Sequence, residues 1–73
     1  MAKKSKNAVY RVTDVIGTSS ESWEAAARSA VSTASKSLRD LRIAEVTKLD
    51  VKIENGRVTQ FRTRLSMSFK YGA

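Results

Sequence analysis

Arg62 and Arg64 stand two apart on one side of an alternating stretch, Phe61-Arg62-Thr63-Arg64-Leu65-Ser66-Met67. Two guanidiniums on one face of a strand read as a solvated pair, a subunit contact or an anion site, because each carries a permanent charge and a planar fan of donors. Little else in the chain is equipped for chemistry. There is no histidine and no cysteine, which removes imidazole acid–base catalysis, thiolate nucleophiles, zinc-finger ligation and disulfides together. The serines are scattered along one segment with no base beside them, so nothing meets the requirements for an activated nucleophile or a general base. The sequence reads as a non-enzyme, and the only metal chemistry left to it is oxygen ligation.

The elements that position these residues follow from periodicity. Ala8 to Ile16 reads as a strand, with Tyr10, Val12 and Ile16 on one parity, Asp14 interrupting that side, and Gly17 ending it. Thr18 and Glu21 have the spacing of a capping box, with Ser19 and Ser20 as rival caps. An amphipathic helix is expected from about Ser20 to Asp40, its apolar stripe at Trp23, Ala27, Ala30, Ala34, Leu38 and Leu41 and its basic end at Lys36, Arg39 and Arg42. Ile43 to Glu54 reads as a second strand in which Ala44 and Val46 have one parity and Leu49, Val51 and Ile53 the other. An extra residue near Thr47-Lys48 would bring both sets to one face. Asn55-Gly56 predicts a two-residue type I′ hairpin. Arg57 to Tyr71 then alternates, with Phe61, Thr63, Leu65, Met67, Phe69 and Tyr71 on one face and Gln60, Arg62, Arg64, Ser66, Ser68 and Lys70 on the other.

The fold class is therefore α+β: β-α-β-β, a three-stranded antiparallel sheet in the order 1-3-2 packed on one amphipathic helix. Residues 8–73 form a single domain behind a basic tail at 1–7 that is expected to be disordered. At 73 residues the chain buries only about 60% of the surface its unfolded form exposes. One helix cannot cover so long a hairpin, so the sheet asks for neighbours. Fourteen Lys and Arg against seven Asp and Glu leave a formal charge of +7, which makes a polyanion or nucleic-acid binder the alternative reading. The polar face of the third strand has no aromatic on which bases would stack, which argues against nucleic acid. No apolar run approaches a membrane span and no signal-peptide segment opens the sequence. The chain reads as cytoplasmic, with no membrane partner.

The strand before Gly17-Thr18-Ser19, the Ala-rich helix, Leu41-Arg42-Ile43-Ala44-Glu45-Val46, the hairpin and the closing Met67-Ser68-Phe69-Lys70 together resemble the dodecins over nearly the whole chain, from about Tyr10 to Tyr71. The resemblance implies a hollow homododecamer that stores or sequesters a small ligand or ion at subunit interfaces. It implies flavin as the family ligand, stacked between tryptophans. Here Ile43 stands at the tryptophan position and Arg62 at that of the flavin-pairing glutamine, so the sequence departs from the flavin pattern at both. Ser22-Trp23-Glu24, the isoleucine, the arginine and the Ser-Phe-Lys ending are closer to the calcium dodecins, which makes calcium the other cofactor implied. Asp14, Asp50 and Glu54 are the candidates for oxygen ligation. No EF-hand-like loop is present, so such a site must be shared between chains. Trp23 is expected in the core or at a subunit interface, and Glu45 and Arg64 at subunit interfaces, with Glu45 pairing an arginine of a neighbour.

Overall fold

The computed structural model describes residues 7–70, so most of the expected tail, and Tyr71, lie outside the described residues. The order is β1 (Tyr10–Ser19), α1 (Trp23–Ala34), β2 (Leu41–Glu54) and β3 (Arg57–Lys70). β3 lies in the middle of one antiparallel sheet ordered β1-β3-β2, as the alternation in the sequence requires.

β2 and β3 each run 14 residues, whereas α1 has 12, so strands of nearly 50 Å oppose a helix of about 18 Å. The molecule measures 63 × 21 × 15 Å, and its radius of gyration, 15.9 Å, well exceeds the roughly 11 Å of a compact domain of this length. The buried core is correspondingly small: Ala26 and Ala30 from the helix, with Leu65, Met67 and Thr63 from β3.

The helix is shorter than its pattern suggested, at both ends. Ser22 caps it, accepting from the Ala25 N–H at 3.0 Å, while the Ser19 hydroxyl accepts from the Glu21 N–H one turn earlier. Thr18 is already paired in β1 and so does not form the expected box. At the far end, Ser35 turns its hydroxyl back on the Ser32 carbonyl, a local bond that competes with helix continuation. Ser35 is the C-cap, and Asp40 takes a positive φ of 56° to start β2. Lys36, Arg39 and Arg42 therefore follow the helix instead of closing it, and Leu38 and Leu41 belong to the connection and to β2.

In β1 the parity of Tyr10, Val12 and Ile16 is not the one that meets the helix. Thr13, Val15 and Gly17 face the helix, while Tyr10, Val12 and Ile16 are exposed on the other side of the sheet. Gly17 decides this. A Cβ there would run into the Ala26 carbonyl oxygen and come within 2.9 Å of the Ala30 side chain, so only glycine lets α1 rest on β1.

The register of β2 on β3 shifts near Val46/Lys48, as the sequence predicted, and also near Lys52/Ile53 and Leu41/Ile43. Thr47 and Thr59 are the residues left without a partner at the first two. Each donates its hydroxyl to a carbonyl of the facing strand, Thr47 to Arg64 O at 3.3 Å and Thr59 to Lys52 O at 3.4 Å. The extra residues set Ala44, Val46, Leu49 and Val51 opposite Met67, Leu65, Thr63 and Phe61, all on the helix side. Asn55 and Gly56 have φ of 53° and 75°, as a type I′ turn demands.

Candidate functional site

The face of the sheet turned away from the helix collects nearly every polar residue that could bind a ligand. Reading across the strands, Asp14 lies opposite Ser66 and Ser66 opposite Glu45. The next row is Ile16, Arg64 and Lys48, and the row after it Thr18, Arg62 and Asp50.

Asp50 and Arg62 form a two-pronged ion pair, Nε to Oδ1 at 2.7 Å and Nη2 to Oδ2 at 3.0 Å. The hydrogen bond from Arg62 lowers the Asp50 pKa below its ordinary value, helped by the charges of Arg62, Arg64 and Lys48 against the cost of desolvation. The same bond raises that of Arg62. Sequence reasoning named both residues but did not pair them. The signal was the parity of Val51 against Phe61: a regular ladder running back from Asn55-Gly56 puts Asp50 opposite Phe61. Only the extra residue Thr59 brings Val51 opposite Phe61, and thereby Asp50 opposite Arg62.

Ile43 and Arg62, the two positions at which a dodecin ligand is expected, are not brought together. Ile43 pairs with Ser68, six residues along β3 from Arg62, a separation of about 20 Å. Ile43 is 66% exposed and accepts the Ser68 hydroxyl on its carbonyl at 3.4 Å. A pocket that used both positions would have to be closed by a second chain.

Trp23 lies on the helix side. Its ring meets Phe61 edge-on, centroids 5.1 Å apart at 73°, and its indole N–H donates to the Asp50 carbonyl at 3.0 Å. Thr63, buried, donates to the Trp23 carbonyl at 2.9 Å. One edge of the ring borders an open hollow lined by Ala27, Val46 and Leu49. This continues into a groove of about 540 Å³ beside Arg28, Val31, Ala44 and Leu65. The groove exists because α1 rests on β1 and β3 and barely touches β2, leaving Val46 51% and Leu49 50% exposed.

The carboxylates are spread out. Asp50 is engaged by Arg62, Glu54 bridges Lys52 at 3.4 Å beside the turn, and Asp14 lies on β1. Glu45 forms no ion pair among the described residues, and no group of three or more His, Cys, Asp or Glu is placed to hold a metal. The row Asp14, Ser66 and Glu45 is the closest approach to a donor set, one that sequence reading did not single out. Two carboxylates and a hydroxyl fall short of the six to eight oxygens calcium takes, so one chain alone does not fit that ion. Among the described residues no helix is long and apolar enough to cross a membrane.

Comparison with known proteins agrees with this architecture. The family model described as Dodecin matches residues 9–72. The calcium dodecin of Mycobacterium tuberculosis is 44% identical over 62 residues, covering 85% of this chain and 87% of that protein. A dodecin structure from Streptomyces coelicolor superposes with a TM-score of 0.87 at 39% identity, over 94% of this chain and 99% of that one. The structure of the Mycobacterium tuberculosis protein, described as a calcium-chelating immunodominant antigen with a novel calcium-binding site, gives a TM-score of 0.79 at 43% identity, over 88% and 91% of the two chains. With its strand order, its hairpin and its sequence all matched from end to end of the domain, the chain belongs to the dodecin family.

Proposed function

We propose that the chain works as a non-enzymatic, cytoplasmic homo-oligomeric shell of the dodecin type, holding a small ligand or ion between its subunits. The apolar groove over β2 carries this reading. Val31, Val46 and Leu49 are exposed in one continuous strip, and a chain with so small a core gains more from covering that strip with a sister subunit than from any contact inside itself. The separation of Ile43 from Arg62 supports the same conclusion, because a ligand that needs both must sit between chains.

Flavin is disfavoured as that ligand. Isoleucine at 43 offers no flat π-face, and Arg62 is already held by Asp50. The resemblance to the calcium dodecin favours a second reading, a calcium site shared across a subunit boundary, to which Asp14 and Glu45 would bring carboxylates from the polar face. Light scattering on the eluting protein tests the first proposal: a mass several times 8.1 kDa is expected, and a monomer at micromolar concentration refutes it. Thermal melting tests the second. Calcium should raise the midpoint more than magnesium does, and an equal or absent response removes the shared site.

A further inference from the structure

The polar face of the sheet holds two cations that the fold places side by side with no ion-pair partner among the described residues. Lys48 and Arg64 are directly opposite one another on β2 and β3, where Cβ atoms stand about 5 Å apart and like charges repel. Both residues are exposed. Among the described residues neither forms an ion pair, since the two salt bridges present are Lys52–Glu54 and Arg62–Asp50. The nearest carboxylate in the next row, Asp50, is committed to Arg62 through both of its oxygens, although it feels the field of Arg64 and Lys48 as well. The juxtaposition is built by the fold. The register shift at Val46/Lys48 is what aligns Lys48 with Arg64, and the unpaired Thr47 fastens that point by donating to the Arg64 carbonyl.

We propose that Lys48 and Arg64 form a binding site for one small divalent oxyanion, a phosphate group. A dianion between the two side chains converts their mutual repulsion into two attractions, with the guanidinium fork of Arg64 suited to two of the oxygens and Lys48 acting as a point charge. Ser66, two residues along the same face of β3, places a hydroxyl beside Arg64.

The rows on either side limit what fits. Asp14 and Glu45 flank Ser66 on one side and repel any ligand that carries negative charge further in that direction. On the other side Arg62 is neutralised by Asp50. The basic patch is therefore one row wide. It suits a single phosphate group and not a nucleic-acid backbone, which needs a stripe of cations spanning several phosphates. Both cations belong to one chain, so no second subunit has to supply a charge, and the proposal goes beyond the interfacial ligand argued above.

The test is calorimetric titration of the full-length protein with inorganic phosphate, glycerol phosphate and a 20-nucleotide single strand, at constant ionic strength set with sodium chloride. Phosphate or glycerol phosphate should bind, and Arg64→Gln and Lys48→Gln should each weaken binding about tenfold or more, as loss of one charge-assisted contact implies. Tighter binding of glycerol phosphate identifies the site with a phosphomonoester, and equal binding identifies it with free phosphate. Asp14→Asn should strengthen both by removing a repelling charge. If Arg64→Gln fails to fold, Lys48→Gln on the exposed strand carries the test alone. The proposal is overturned by no phosphate-specific heat in the unmodified protein, by unchanged affinity in Lys48→Gln, or by binding confined to the oligonucleotide.

Discussion

Trp23 on the helix and Asp50 on β2 are joined by a bond from the indole N–H to the Asp50 carbonyl at 3.0 Å, while the carboxylate of the same aspartate holds Arg62 on the opposite face of the sheet. Asp50 is thus the point at which the helix side and the polar side of the molecule are fixed to each other. Removing the indole donor while keeping an aromatic ring, Trp23→Phe, should cost about 1 kcal/mol. Chemical denaturation measures it, and a neutral result would show the bond to be incidental.

The Asp50–Arg62 pair also sets a pH dependence. Folding depresses the Asp50 pKa below its ordinary 3.8, chiefly through the hydrogen bond from Arg62. A carboxyl depressed in this way contributes stability above its unfolded pKa and loses it as pH falls through the folded value. The melting temperature of Arg62→Gln should therefore lie below that of the unmodified protein by a constant amount above about pH 5, with the gap closing under stronger acid. A gap that stays constant to pH 2.5 would show that the pair contributes through packing instead of charge.

Gly17→Ala should destabilise the fold by about 1–3 kcal/mol, because the added methyl meets the Ala26 carbonyl and the Ala30 side chain and lifts the helix from β1. The melting point should fall by roughly 5 °C or more. Gly56→Ala is the comparison: nothing lies within 4 Å of the added atom there, so only the backbone cost of φ 75° remains, about 1 kcal/mol.

Val46→Glu and Leu49→Glu place a charge in the exposed strip without touching the buried core. Each should shift the eluted mass down toward the 8.1 kDa of one chain. Retention of the full oligomeric mass by both variants would move the subunit contact elsewhere.

Ile43→Trp combined with Arg62→Gln should raise flavin affinity about tenfold by restoring a stacking surface, read as quenching of flavin fluorescence. The unmodified protein should quench it barely. An unchanged titration in the double variant would mean that the two positions do not correspond to the family's ligand contacts.

Much of the architecture was legible because β3 states it. Its alternation from Phe61 to Phe69 fixes which side is buried, and Asn55-Gly56 fixes what precedes it. The mismatch of parity within β2 announced the shift near Thr47, and an equal mismatch across the turn, at Val51 and Phe61, announced the one at Thr59 without being read. The helix was overdrawn because Leu38 and Leu41 continue its spacing by coincidence, while Ser32 and Ser35, which end it, act through local hydrogen bonds that periodicity ignores. The side that β1 turns to the helix was left open by its pattern, in which Tyr10, Val12 and Ile16 share one parity and Gly17 has the other: the helix needs the parity of Gly17, whatever else shares it. The Asp50–Arg62 pair and the Lys48–Arg64 juxtaposition depend on register, which a pattern of residue types constrains only when every unpaired residue is counted.

The unpaired threonine of β2 also bears on how the chain avoids its own kind in the wrong geometry. β2 borders the sheet, and a straight, apolar border of 14 residues would template the endless stacking of strands that makes a fibril. Thr47 bends that border and strengthens its twist, while Lys48 and Lys52 set charge along it. A strand so kinked and charged does not accept an identical copy in register, so chains of this sequence are directed away from amyloid and toward closed contacts made by faces.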